Sequence, residues 1–461
     1  MVASLISVSI VPIELSEKED VSIYLSSRIL KKWNIKTNTV IHLKIGQKTR
    51  EALIKSAEVP STELQIPDRF LMEFAMPTYS GKYLIKYSSQ SRTITVGRFI
   101  GLLTDLQIDE ENEPDFRSVH AFCEELHHGI SGRGGFFSVF SLQDLSNEFI
   151  KGYYFKDGKW VLGELPIPSV IYNRIHSRKL EYQDLFLQFY EQVVSMDIPF
   201  FNHRFLSKWE VYSLLIKEEY MHPYIPKTKI FSKESLREFI NKYDTVFVKP
   251  IHGSQGRSII KIKKEEDYFS IQSSVMPASD NSVKKDTIEA VLQHLKKILH
   301  NRIYIIQQGI PLADYQSRPM DFRVLCHKNV QNLWEVTSLI ARISGEKQFV
   351  SNIAQGGEIM KPLSALSAFF NKENSLDVIS LMKELSVEAS SILSSHSAGI
   401  TGELGVDIGI DINGKLWLIE VNSKPSKNFE DHGLKIRPSA KAIINFGTSL
   451  AFNTFLEKEE Q

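Results

Sequence analysis

Short runs of alternating apolar and polar positions dominate the first 95 residues or so: LISVSIVPI, TVIHLKIG and SRTITVG, separated by polar or glycine-containing turns. A period of two sends side chains to opposite faces of a strand, so these runs predict a small β-rich domain over residues 1–95. Its IPDRF and MPTYSGKY segments carry no paired nucleophile and base, which leaves it an accessory or binding role.

From Arg98 the spacing mixes strand and helix. FIGLLT predicts a strand, and Val119, Phe122, Cys123 and Leu126 recur at helical spacing, which puts Cys123 in a core. His127 and His128 are neighbours and cannot face one site on a helix, so they read as surface residues. GRGG at 132–135 and a Lys-Asp-Gly turn at 156–158 lead towards WVLGELPIPSVIYNRI, whose apolar run closes on Asn173 and Arg174. Polar residues at the end of a parallel strand often face a cleft, making Arg174 a candidate ligand contact. EYQDLFLQFYEQV predicts a helix, and a second begins in FFNHRFLSKWEVYSLL with Lys208. These elements predict an α/β domain over residues 96–210.

Further on, Ser232 is placed to cap a short helix bearing Leu236, Phe239 and Ile240. Residues 270–284 are polar and turn-rich and predict a loop. Ile288, Val291, Leu292, Leu295 and Ile298 predict an amphipathic helix between Thr287 and His300, followed by the strand IYIIQQG. DFRVLC puts Asp321 and Arg323 on one face of a strand; LIARIS carries Arg342, and Asn352 precedes a Gly356-Gly357 loop. A long helix from about Leu376 to Ser395 presents Ile379, Met382 and Ile392 for packing.

Two stretches carry candidate chemistry. In DTVFVKPIHGSQGR an apolar strand delivers Lys249 beside a loop containing Gly253, Ser254, Gln255 and Gly256. An ammonium and backbone donors can together face a polyphosphate, although a hairpin with an exposed lysine has the same pattern. The lysine precedes the glycines and no Gly-Lys-Ser/Thr follows, so this is not a Walker A loop. In GVDIGIDINGKLWLIEVNSKP a turn at Asn413-Gly414 joins a strand with Asp407 to one with Glu420 and Asn422 two residues apart. Hard oxygen donors on one face suit magnesium; the competing explanation for Glu420 is a core ion pair to an arginine such as Arg323. Asp411, nearer the turn, reads as exposed.

Composition narrows the partners. The 461 residues hold 55 basic and 55 acidic side chains, giving no general attraction to nucleic acid or an anionic membrane. Cys123 and Cys326 are too few for a disulfide scaffold, which favours a reducing compartment. The start lacks a secretory signal and no apolar run is long enough for a membrane span, so a soluble protein is expected.

Lysine and glycine loop first, arginines and asparagine next, acidic hairpin last: this order resembles the ATP-grasp superfamily, in its glutathione synthetase-like branch. The resemblance spans residues from about Phe205 to Ser426, through LSKWEVYSLL, VFVKPIHGSQGRS, YIIQQGI, DFRVL, ARI with NIAQGGE, and the acidic hairpin. With GRFIGLLT and PIPSVIYNRIHSRKLE, the whole chain resembles the YheC/YheD family of endospore coat-associated ATP-grasp proteins.

The resemblance implies an ATP-grasp fold within an α/β and α+β multidomain chain, behind a β-rich domain and an α/β pre-ATP-grasp domain. The nucleotide lobe would cover 211–300, and a second lobe with the metal site 301–456. It implies ATP and Mg2+ as cofactors. Lys208, Lys249 and the Gly253 to Gly256 loop would contact the phosphates, with Gln307 at the adenine and Asp407, Glu420 and Asn422 at the metal. Arg323, Arg342 and Asn352 would serve the transferred group. The implied activity joins a small-molecule or peptide carboxylate to an amine, or a thiol, through an acyl phosphate. The alternative is a non-catalytic nucleotide-binding coat assembly protein. The implied location is the mother-cell cytoplasm or the spore coat, with coat proteins as further candidate partners.

Overall fold

The computed structural model describes residues 5–14, 21–78, 80–111, 113–253, 258–274, 282–299, 301–345, 357–427 and 435–453. Alternation over the first strands leads to a closed barrel. In spatial order its strands are Ile6–Ile13, Glu63–Pro67, Ser22–Ser26, Lys48–Ala57, Thr39–Ile45, Thr93–Gly97 and Gly81–Ser88, the last pairing back on the first. Along Thr39–Ile45, Ile41, Leu43 and Ile45 fill the interior while His42 and Lys44 stay on the outer side. Closure leaves no strand edge to pair with another chain.

The next sheet runs Lys159–Leu165, Ile150–Lys156, Phe136–Phe140, Phe99–Leu103, Val170–Asn173, Phe200–Phe201. Phe99–Leu103 lies between parallel neighbours and is buried along its whole length, which is why its sequence is an unbroken apolar run. The Lys-Asp-Gly turn is the hairpin between the first two strands, with Asp157 and Gly158 at φ 49° and 82°. Helix His120–Ser131 buries Phe122, Cys123 and Leu126. Helix Pro438–Phe452 shares that core through Ala440, Ile443, Ile444 and Phe446, so this late helix packs back onto the middle sheet.

A third sheet has the order Thr228–Ile230, Tyr304–Gln308, Thr245–Pro250, Ile260–Lys264, Phe269–Ser273, Val283–Lys285. Helices Lys233–Lys242 and Ile288–Ile298 cover it, capped by Ser232 and Thr287. The stretch expected to be a loop supplies two of these strands. Ile271 is buried opposite Ile262 and Phe269 packs on the same core, so two apolar residues on one face and a backbone ladder suffice for a strand whose remaining positions are polar. Residues 275–281 of that stretch lie outside the described residues.

The fourth sheet runs Glu358–Met360, Trp334–Ile343, Arg318–Lys328, Glu403–Ile410, Leu416–Asn422. Helix Lys372–Ser395 packs on it with Met382, Leu385, Ala389, Ile392 and Leu393 buried. The short helix Lys208–Leu215 joins the same core through Val211 and Leu215, which carries Lys208 to the acidic sheet.

Candidate functional site

Along Thr245–Pro250, Val246 and Val248 turn into the core and Lys249 takes the other face. Lys249 Nζ donates to Gln307 Oε1 at 2.6 Å, and Gln307 Nε2 donates to Thr228 Oγ1 at 3.1 Å. The Gln307 amide thus orients the lysine. Burial pulls the Lys249 ammonium down to about 8; the charge of Lys208 adds to the drop and Glu420 opposes it.

Lys208 opens its helix behind the Ser207 and Glu210 capping box. Its backbone N–H donates to Ile251 O at 3.0 Å, while Nζ donates to Gly253 O at 3.1 Å and to Glu420 Oε1 at 2.6 Å. One lysine therefore ties together a helix start, the segment after the Lys249 strand and the acidic strand.

On the hairpin, Asp407 stands opposite Glu420 and Gly405 opposite Asn422, so the two carboxylates and the amide share one face. The same face continues across the sheet, where Arg323 is opposite Asp407 and Asp321 opposite Arg342. Arg323 binds both Asp407 oxygens, with Nη2 to Oδ2 at 2.8 Å. Arg342 binds both Asp321 oxygens at 2.6 Å and reaches Asp407 Oδ2 at 3.1 Å. Asn422 Nδ2 lies 3.5 Å from Asp407 Oδ2. A Cβ on Gly405 would meet Pro425 Cβ at 2.8 Å, so glycine lets the following segment cross this face.

Burial pushes the Asp407 carboxyl up, but the Arg323 and Arg342 charges prevail and hold it below the usual carboxylate range. Burial likewise works against the Arg342 cation, and Asp321 and Asp407 more than reverse it, leaving its pKa raised. Lys208, Lys249, Arg323 and Arg342 face Asp321, Asp407 and Glu420, an excess of one positive charge beside hard oxygen donors. Such a surface can take a polyanion with a divalent cation.

The donor set fits magnesium in kind: two carboxylates in adjacent register and an amide oxygen. Among the described residues no group of three or more histidine, cysteine or acidic side chains is arranged to hold a metal. Asp407, Glu420 and Asn422 are the residues that could hold a magnesium ion, with Asp407 shared with Arg323 and Arg342 and the remaining ligands drawn from water and phosphate.

The structure brings Lys208, Lys249, Gln307, Gly253, Arg323, Arg342, Asp407, Glu420 and Asn422 into one connected region. Ser254, Gln255, Gly256 and Asn352 lie outside the described residues. The arginine pair weighed as the competing explanation for Glu420 is made by Asp407 instead, and Glu420 pairs with Lys208. Two expectations are corrected. Arg174 is buried and donates to Glu403 Oε2 and Pro425 O, so it clamps the middle sheet to the acidic lobe instead of facing a ligand. Asp411 is also buried: its Oδ1 accepts from the backbone of Asn413 and Lys415 and its Oδ2 from Trp417 Nε1, which shapes the turn. Sequence reasoning missed Arg178, which borders Glu420 electrostatically; its signal was a second arginine in NRIHSRK, just past a strand end.

A middle α/β sheet followed by two antiparallel lobes, with Lys249 on one lobe and Lys208 with the arginine–carboxylate pairs on the other, defines an ATP-grasp-like architecture. Residues 197–450 match the family described as YheC/D like ATP-grasp, and the chain belongs to that family. It is 26% identical over 404 residues to endospore coat-associated protein YheD of Bacillus subtilis (strain 168), covering 87% of each chain. To endospore coat-associated protein YheC of the same organism it is 25% identical over 286 residues, covering 60% of this chain and 75% of that one. Among solved structures, VanG D-Ala:D-Ser ligase from Enterococcus faecalis superposes with a TM-score of 0.45 at 12% identity, covering 78% of this chain and 100% of that chain. No helix among the described residues is long and apolar enough to cross a membrane.

Proposed function

We propose that the protein is an ATP- and magnesium-dependent ligase that activates a carboxylate as an acyl phosphate and passes it to an amine, or a thiol. The observation that carries this reading is the shared face on which Glu420 is bound by Lys208 and Asp407 by Arg323 and Arg342. Lys208 and Lys249 would bind the ATP phosphates. Arg323 and Arg342 would stabilise charge on the transferred phosphoryl group as the substrate carboxylate attacks and ADP leaves. Asp407, Glu420 and Asn422 would hold magnesium, which when bound supplies neutralisation and orientation of the phosphates. No protein nucleophile is needed, because substrate oxygen attacks phosphorus directly. The amine then attacks the acyl phosphate, releasing phosphate. Gln307 orients Lys249, and in this reading its strand borders the adenine.

We extend the proposal to a role in spore coat formation, which the similarity to the two B. subtilis endospore coat-associated proteins supports. Coat proteins are then candidate partners, and the barrel a docking surface. The deciding experiment is magnesium-dependent ADP release with fractionated metabolites and peptides from sporulating cells, run beside Glu420→Gln. Release stimulated by one fraction and lost in the variant supports the ligase. ATP binding without stimulated release supports a non-catalytic nucleotide-binding coat component.

A further inference from the structure

Arg178 lies beyond the end of the middle-sheet strand, against the segment that leads into Lys208. Its Nη1 donates to Leu206 O at 2.8 Å, and its guanidinium carbon sits 4.6 Å from the centroid of the Phe205 ring. No other hydrogen bond engages the guanidinium among the described residues. Among the described residues, the carboxylates around it are committed elsewhere. Glu181 is bound by Lys424, Asn173 and the Phe205 backbone N–H; Glu420 is bound by Lys208; Glu210 is bound by Arg204. A half-buried arginine with spare donors and no partner carboxylate among the described residues can serve as an anion site, since a guanidinium offers a planar fork matching two oxygens.

The surroundings define which end of the cleft this is. Tyr182 and His252 have ring centroids 6.1 Å apart, and His252 follows Ile251, whose carbonyl holds the Lys208 backbone. Burial lowers the His252 imidazole first, with the Arg178 charge second, which favours the neutral ring; of the described cations nearby, Lys208 is paired with Glu420 and Lys424 with Glu181, while Arg178 has no carboxylate bonded to it. Lys249 and Gln307 belong to the other lobe face of the same region, joined to this corner through Lys208.

We infer that the free edge of Arg178 anchors a carboxylate of the substrate, beside Tyr182 and His252. This deepens the ligase reading and rests on it for the word substrate. The compound activated here carries an anionic group that docks at Arg178, so an amidated or esterified analogue binds poorly.

The test is arginine labelling of the full-length protein by phenylglyoxal without nucleotide, with the Arg178 adduct quantified by peptide mass spectrometry. The probes are succinate, a dipeptide with a free C-terminus, the same dipeptide amidated, and inorganic phosphate. Expected is labelling of Arg178 that succinate and the free dipeptide suppress and the amidated dipeptide does not. In parallel, Arg178→Lys and Arg178→Ala raise the KM for any stimulating fraction about tenfold or more, with the ATP dissociation constant unchanged. Arg178→Lys keeps the charge and stem, so it remains informative where Arg178→Ala folds poorly. Absence of labelling, equal shielding by the amide, or shielding by phosphate alone overturns the assignment. ADP release with unshielded Arg178 overturns the anchor but not the ligase; shielding without ADP release does the reverse.

Discussion

Lys208 Nζ and Glu420 Oε1 are bonded at 2.6 Å across 212 residues of sequence, and both side chains are largely covered. That bond joins the helix start at the loop carbonyl of Gly253 to the acidic strand. A ligand that draws Lys208 towards phosphate would release Glu420 to bind metal, so the same pair can serve the empty and the loaded cleft.

Glu420→Gln keeps the shape and the hydrogen-bonding capacity to Lys208 while removing the charge. We expect a loss of about 1 kcal/mol in stability, as for a partly exposed ion pair reduced to a neutral hydrogen bond. Magnesium-dependent ADP release should fall about a hundredfold or more. Urea unfolding and coupled ADP release measure the two; a variant with unchanged magnesium dependence removes Glu420 from the metal set.

Asp407→Asn should behave differently. The carboxylate is bonded to Arg323 and Arg342 and shares the balancing of their two charges with Asp321, and Arg342 and Asp407 are both buried. Removing it leaves buried guanidinium charge undercompensated, which costs about 3 kcal/mol. Asn422→Ala loses only a 3.5 Å contact and should cost well under 1 kcal/mol while still impairing magnesium-dependent turnover. Equal destabilisation by the two substitutions would show that Asp407 is not the electrostatic centre of this face.

Much of this site was legible because short-range rules fixed it. A period of two put Glu420 and Asn422 on one face, an Asn-Gly pair marked the turn, and the apolar run before Lys249 marked its strand. Partner choice was not legible. Asp407 and Glu420 are register neighbours with equal chemical claims on an arginine, and the choice depends on Arg323 lying opposite Asp407 in a third strand. Arg174 misled for the same reason: its partner Glu403 is 229 residues away. The barrel strands could be read by alternation, but closure could not, because Ile6–Ile13 pairs with two strands distant in sequence, Glu63–Pro67 and Gly81–Ser88.

Lys249 gives a pH prediction. Its folded value of about 8 lies below the ordinary lysine value, so between those two values the unfolded chain binds more protons and stability rises with pH. The buried charge therefore costs stability below pH 8, and Lys249→Met should melt at a higher temperature than the parent at pH 7. Nucleotide phosphate favours the ammonium, so ATP binding near pH 8 should take up a fraction of a proton. Calorimetry in two buffers of different ionisation enthalpy measures that uptake, and its absence in Lys249→Met assigns it to this residue. Uptake that persists in the variant would place the titrating group elsewhere.

Glu403 offers the test of how the acidic lobe is fixed to the middle sheet. It is fully buried and accepts from Tyr172, Arg174, His327 and Lys427, while its backbone is held by Asn202. Burial pushes its carboxyl up, but Lys427, His327 and Arg174 overcome that and leave it well below the usual range. A depressed carboxylate contributes stability that is present above its unfolded value and is lost as pH falls through its folded one. Glu403→Gln should therefore cost about 3–5 kcal/mol at pH 7 and flatten the acid side of the stability profile. Glu403 touches none of the proposed nucleotide or metal residues, so folded variant protein at low temperature should still bind ATP with parental affinity. Weaker ATP binding by protein shown to be folded would mean that this network sets the geometry of the cleft as well as its stability.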